Sequence, residues 1–478
     1  MVFSQPVFLV FFAVLLLLYA GANSYRQRAA IILVGSLIFY ASWKPIYLIL
    51  LVASVVINYS IYHGLTQTRS RTLLVFGLVL NLTLLGVLKY LGMAINTLLG
   101  VSTWLGAPLT GLDAGWSAWA LPLGISFYTF HMLSVMIDVY RGEWTHPISF
   151  RAWSLYVTFF PHMIAGPILR ASELVEQLEN LAPLRPRDMQ LGGLIFLAGL
   201  IKKILFADNL APLADELFAY PGRLDCYTAW LATTVFALQI YFDFSGYSEM
   251  AIGLARMFGV TLPRNFRNPY VSHSLREFWQ RWHITLSRWL RDYLYFSLGG
   301  NLQGMARNLA NLMLTMILGG LWHGAAWTFA VWGALHGGYL VLHRLLLEGY
   351  RYLGIAAGSP TSRLLSWLGW PTTLIAVWIT WVFFRAPGFH EAWTISGAML
   401  GLAPATAQAP SLRIYVHFLV WASLLLTFVE PRMERALVAR LESWGGLHFS
   451  LRGLAYASLV MLVILFGGSS QKFIYFDF

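Results

Sequence analysis

Two histidines, His283 and His323, each directly follow a tryptophan, Trp282 and Trp322. Both stand beside long apolar runs. An ionisable ring in such a setting is costly in lipid unless it faces protein or water, so it is a candidate for function. A neutral imidazole titrates near operating pH, which suits it to remove a proton from a hydroxyl. The freed oxygen could then attack a thioester carbonyl. His323 fits the general-base role best. It lies in LWHG (321–324), between an apolar segment at 303–322 and a Gly/Ala-rich continuation. Gly319, Gly320 and Gly324 let other backbone or a ligand come close. His283 has no nearby acid to orient it. A buried histidine bonded to a backbone carbonyl would leave the same pattern, and His336 reads as a packing histidine.

The stretch EFWQRWHITLSRWLRDYLYF (277–296) surrounds His283 with aromatic rings and, together with the preceding Arg276, with Arg281, Arg288 and Arg291. At helical spacing Phe278, Trp282 and Trp289 form an aromatic stripe beside a basic one. One reading is an interfacial helix with a tryptophan belt and snorkelling arginines. The other is a site for an anionic, phosphate-bearing donor held by Arg281, Arg288 and Arg291 with Trp282 and Trp322. No pair of the 12 histidines has metal-ligand spacing with a nearby acid around this stretch, so no metal is expected. No nucleophile elbow and no phosphate-binding loop occur. The single cysteine, Cys226, excludes an intrachain disulfide.

The elements that must hold these rings are membrane helices. The 478 residues are 58% hydrophobic and only 11% charged. Apolar runs long enough to cross about 30 Å of hydrocarbon recur throughout. The expected fold is an all-α polytopic membrane protein with roughly 11 spans and one or two re-entrant pieces. The net charge of +11 sits in loops between spans, as the positive-inside rule anticipates, and nucleic acid is not an expected partner. The first run reads as a retained span with its N-terminus outside. In FFPHMIAGPILR (159–170), Pro161, Gly166 and Pro167 interrupt the apolar pattern. Broken backbone at membrane depth needs protein or a water cavity around it, which predicts a re-entrant element. Asp243 lies deep in an aromatic run and calls for a buried base that the sequence does not name. Residues 386–411 read as an outer loop, 413–429 as a span, 431–444 as an amphipathic helix lying on the membrane, and 449–467 as the last span. A single integral-membrane domain therefore fills 1–478, with an extracytoplasmic tail at 467–478.

Taken in order, several motifs resemble those of the bacterial membrane-bound O-acyltransferases. They are LPLGISFYTFHMLS…DVYRGE (121–143), FFPHMIAGPILR (159–170), LIKKILFADNLA (200–211), QIYFDFSGYSEMAIG (239–253), LPRNFRNPY (262–270), the two histidine stretches, FFRA (383–386) and FIYFDF (473–478). The likeness is strongest to membrane subunits that O-acetylate alginate, cellulose or peptidoglycan. It implies a ring of tilted helices around a central tunnel and makes His323 and His283 the active-site pair. It also implies acetyl-CoA as the donor, with no bound cofactor, in a bacterial inner membrane with both termini periplasmic. His323 would activate the acceptor and His283 would hydrogen-bond the thioester carbonyl. The terminal FIYF resembles a motif whose tyrosine carries the acyl group, which marks Tyr475. Asp477 departs from that motif, where glutamine is expected. A periplasmic SGNH-type acetyltransferase or another envelope polysaccharide-modification protein would complete the transfer, and membrane lipid surrounds the chain. A rival class remains at this point: a transporter or scramblase using the histidines as a proton relay.

Overall fold

The computed structural model describes residues 1–107, 109, 121–355, 359–402 and 414–444, together with scattered positions between 453 and 474. Tyr475 and Asp477 lie outside the described residues. No strand occurs among those described.

The chain begins with α1 (Pro6–Ala20), α2 (Tyr25–Ala41), α3 (Ile46–Thr68), α4 (Arg71–Trp104) and α5 (Ile125–Arg141). The interrupted segment follows as α6 (Phe150–Thr158), α7 (Phe160–Met163) and α8 (Ala171–Glu179). Then α9 (Pro186–Ile201) passes through a π-helical turn at Lys202–Ala207 into α10 (Asp208–Ala219), and α11 (Cys226–Met257) returns. The focal stretch folds as α12 (Leu275–Arg281) and α13 (Ile284–Trp289), with a second π-helical turn at Leu290–Tyr295. It is followed by α14 (Gly304–His323) and α15 (Trp327–Tyr352). The described part closes with α16 (Pro360–Arg385), α17 (Phe389–Met399) and α18 (Ile414–Trp444).

By length and composition, four helices among the described residues could cross a membrane: Ile46–Thr68, Arg71–Trp104, Pro186–Ala219 and Leu365–Arg385. Others that sequence reading took as spans are shorter or carry polar side chains inward. The expected break at 159–170 is present, and its freed backbone groups are accounted for by side chains. The Leu169 N–H donates to His131 Nε2 at 3.1 Å, while the Tyr156 hydroxyl donates to the Leu169 carbonyl at 2.7 Å. The His162 ring donates to the Tyr156 carbonyl at 3.0 Å. Ile168 N–H donates to Thr285 Oγ1 at 3.0 Å, which ties the break to the start of α13.

Two regions differ from the sequence reading. The outer loop 386–411 contains α17, whose Ala392, Ile395 and Ala398 are buried. The separate span and surface helix expected at 413–444 are one helix, α18, with Pro431 inside it. A proline removes one backbone hydrogen bond, and membrane helices tolerate it where the freed carbonyl finds another partner.

Helix pairing around the centre depends on small residues, as is usual where lipid gives helices no hydrophobic reason to associate. Gly199 of α9 and Gly246 of α11 face each other, each packed on the other's carbonyl oxygen. The same contact recurs one heptad away between Gly192 and Gly253. This close approach brings the lysines that follow α9 against α11. Gly320 of α14 and Gly333 of α15 play the same part in the hairpin that carries His323.

Candidate active site

His323 ends α14. The chain then runs through an extended Gly324 before α15 begins at Trp327. The last carbonyls of a helix have no intrahelical partners, and inside a membrane each must be satisfied. Here α4 supplies the donors. Lys89 Nζ donates to the carbonyls of Trp322 at 2.6 Å and His323 at 3.0 Å, and the Tyr90 hydroxyl donates to that of Leu321 at 2.7 Å. A cation at a helix C-terminus also faces the negative end of its dipole. Sequence reading passed over Lys89. Its signal was a lone lysine in the middle of an apolar helix, which marks an intramembrane function or cap.

His283 joins α12 to α13 and holds φ 41°, ψ 54°, a left-handed conformation unusual for a side chain with a Cβ. Strain of this kind persists where surrounding structure enforces it, often at functional sites. The enforcing residue is Asn265. Its carbonyl oxygen accepts the main-chain N–H of Ile284 at 2.9 Å. Its side-chain Oδ1 accepts from Thr285 N at 3.2 Å and Thr285 Oγ1 at 3.0 Å. His283 Nδ1 lies 3.1 Å from the same Oδ1. An oxygen already taking a backbone N–H cannot be the amide nitrogen, so the ring must donate. The neutral ring therefore carries its proton on Nδ1 and presents a bare lone pair at Nε2. That nitrogen is buried and has no hydrogen-bond partner among the described residues. The orienting group that could not be found near His283 in the sequence thus comes from LPRNFRNPY, 18 residues upstream.

The two rings meet. Their centroids are 6.4 Å apart, and the residues are 0% and 3% exposed. Aromatic walls enclose them. Trp322 packs 6.0 Å from His283 and 5.0 Å from His323, and Trp332 packs 5.0 Å from His323. The Trp322 indole nitrogen is buried with no hydrogen-bond partner among the described residues. A cavity of about 50 Å³ opens at His323, bordered also by Lys89, Pro122, Phe127, Ile164 and Trp322. His336 sits outside this pair. It bonds Thr380 Oγ1 at 3.0 Å and packs between Trp279 and Trp332, as its packing reading expected.

The residues expected to bind a donor fall in two places. Trp322 lines the histidine pair; Trp282 is buried in the aromatic cluster behind it and packs against Phe266 and Trp381. Arg288 and Arg291 form a partly exposed cluster with Arg170, which the sequence reading did not include. Carboxylates stand among them: Arg288 pairs with Glu173 at 3.1 Å, Arg291 with Asp292 at 2.7 Å, and Arg170 also with Asp292. Arg281 pairs with Glu277 at 2.7 Å, one turn away on its own helix. Asp243 finds its base in Lys203, 2.8 Å away.

The profile of the membrane-bound O-acyltransferase family matches residues 115–382, more than half of the chain. The chain belongs to this family. It is an O-acyltransferase and an integral membrane protein of all-α architecture. It is 41% identical over 443 residues to a probable alginate O-acetylase AlgI of Azotobacter vinelandii, covering 90% of this chain and 84% of that one. It is 35% identical over 443 residues to a peptidoglycan O-acetyltransferase of Helicobacter pylori, covering 84% and 80%. A teichoic acid D-alanyltransferase of Streptococcus thermophilus is 28% identical over 239 residues, 46% of this chain and 56% of that protein. All the quoted motifs except FFRA (383–386) and the terminal FIYFDF (473–478) lie within the matched region, including both histidines of this O-acyltransferase.

Proposed function

We propose that this membrane O-acyltransferase moves acetyl groups from cytoplasmic acetyl-CoA across the bacterial inner membrane to an extracytoplasmic polysaccharide, alginate or a polymer like it. Both termini then lie on the periplasmic side. The observation that carries the reading is the meeting of two buried imidazoles from distant parts of the chain, with a cavity bordering one of them, His323. The names of the relatives support the acetyl group and the polymer class.

His323 takes the proton of an acceptor hydroxyl. The oxygen attacks the thioester carbonyl, a C–O bond forms, the C–S bond breaks and CoA thiolate leaves. The proton on His323 passes to the thiolate, which restores the neutral ring. The bond from His283 to Asn265 changes the part first expected of His283. With its proton on Nδ1, the neutral ring offers Nε2 as an acceptor, so it steadies the acceptor hydroxyl rather than the oxyanion. The buried indole N–H of Trp322, which borders the cavity at His323, is the donor for the developing oxyanion, where one such donor is worth about 3 kcal/mol. The arginine cluster of Arg170, Arg288 and Arg291 draws the phosphates of CoA, its carboxylates giving way to the stronger anion.

Tyr475 is the first acceptor in this scheme. A phenol of pKa about 10 is a better leaving group than a sugar alcohol, so its acetyl ester passes onward readily. A separate periplasmic acyltransferase completes delivery to the polymer. The deciding experiment is polymer acetylation in cells carrying His323→Ala, with membrane insertion checked by immunoblot. Loss of acetylation is expected; undiminished acetylation ends the proposal. Uptake of a solute driven by pH, with no loss of acetyl-CoA thioester, would favour a transporter instead.

A further inference from the structure

Beside α11 lies a second buried polar group that the chemistry above does not use. Lys203, in the π-helical turn after α9, places Nζ 2.6 Å from Asp208 Oδ1 and 2.8 Å from Asp243 Oδ1. The three side chains are 1–3% exposed. One ammonium with two carboxylates leaves a surplus negative charge in an apolar interior. Such a group is strongly destabilising unless further donors reach the carboxylate oxygens.

One such donor arrives from the far end of the chain. The main-chain N–H of Ile474 donates to Asp243 Oδ2 at 2.7 Å, across 231 residues. The Gln471 backbone comes close to Asp208. Between them Phe473 is fully buried. Its ring stacks on Tyr247 at 4.5 Å and meets Phe244 at 5.9 Å. The opposite contact of Tyr247 is Phe3, stacked at 4.6 Å, so the two ends of the chain share one ring. Phe244 in turn packs edge-on against His283 at 4.7 Å. The carboxylates read backbone and the aromatic slot reads Phe473. Together they recognise a peptide with an aromatic residue followed by a backbone N–H that donates to a carboxylate.

We propose that Lys203, Asp208 and Asp243, with the slot between Phe244 and Tyr247, form a docking site for the protein's own C-terminal segment. The site anchors the chain at Phe473 and Ile474 and so sets the starting point of the residue that follows, Tyr475. Asp243 is a positioning residue. The dock stands on its own contacts; its consequence for catalysis rests on the acyl relay proposed above. The lysine orients both carboxyl groups, and the paired glycines of α9 and α11 hold the lysine in place.

Hydrogen–deuterium exchange of the full-length protein in lipid nanodiscs tests this. In the wild type, amides of the peptide spanning Gln471–Ile474 should exchange slowly. Asp243→Asn and Phe473→Ala should each speed that exchange by about tenfold or more, while α14 and α15 keep their protection. Phe473→Ala leaves the charged trio intact, so it remains informative where Asp243→Asn fails to fold. Exchange of these amides at free-peptide rates in the wild type, or at one rate in all three proteins, overturns the dock. The relay fails separately: Tyr475→Phe with full acetylation and a protected tail removes the relay and leaves the dock.

Discussion

The Nδ1–H of His283 is committed to the side-chain oxygen of Asn265 at 3.1 Å, and Thr285 holds that oxygen in place with two further hydrogen bonds. One amide thereby decides which nitrogen of the ring is left uncommitted. Asn265→Ala should free the ring to take either tautomer and to leave its left-handed backbone. A fall of about 100-fold in kcat is expected, within the range of general acid–base effects. Steady-state acetyl transfer in proteoliposomes, with the KM for acetyl-CoA little altered, is the check. A KM effect alone would place Asn265 in donor binding instead.

Trp322→Phe keeps an aromatic wall against His283 and His323 while deleting the indole N–H. If that group meets the oxyanion, kcat should drop by about 100-fold with KM unchanged, as for loss of one oxyanion donor. Equal rates for the two proteins would show that the N–H takes no part.

Lys89→Met keeps the length and apolar stem of the side chain but removes the donor to the Trp322 and His323 carbonyls. Leaving buried carbonyls without their donor costs about 1–3 kcal/mol each. Thermal unfolding in detergent should shift down, and transfer should weaken because the end of α14 loosens. Lys89→Arg retains charge and donors and should recover part of both. An unaltered melting curve for the methionine variant would mean that water caps α14.

Gly199→Leu would drive a side chain into the Gly246 carbonyl and the backbone of Met250. Overpacking of this kind costs about 3 kcal/mol. The variant should accumulate poorly in membranes, and α9 should part from α11, carrying Lys203 away from Asp243. Normal accumulation would show that the two helices have room to separate without loss of the fold.

Much of this enzyme was legible without coordinates. The low charge and recurring apolar runs required a polytopic helical protein, because hydrocarbon admits no other way to satisfy backbone groups in such a chain. Pro161, Gly166 and Pro167 announced the break, since a proline cannot continue a helix that precedes it without losing a backbone bond. The tryptophan–histidine pairs announced the site, since imidazole is costly in lipid without a purpose. The cap on His323, the partner of His283 and the base for Asp243 were less accessible. Lys89, Asn265 and Lys203 each sat in plain view, but nothing local links them to the groups they serve.

Composition and local pattern determined the membrane class and the interrupted segment, and singled out the two candidate rings. Those are properties of a residue and its immediate neighbours. Only the tertiary structure decided that the rings meet at 6.4 Å, that Asn265 sets the tautomer of one, and that Lys89 ends the helix of the other. It also moved Trp322 from an expected donor surface to the wall of the histidine pair, and Trp282 into the buried aromatic packing beside Trp381. The physical reason is reach. Helical periodicity tells a chain which face to bury, whereas a hydrogen bond across 231 residues depends on how the buried faces close on one another.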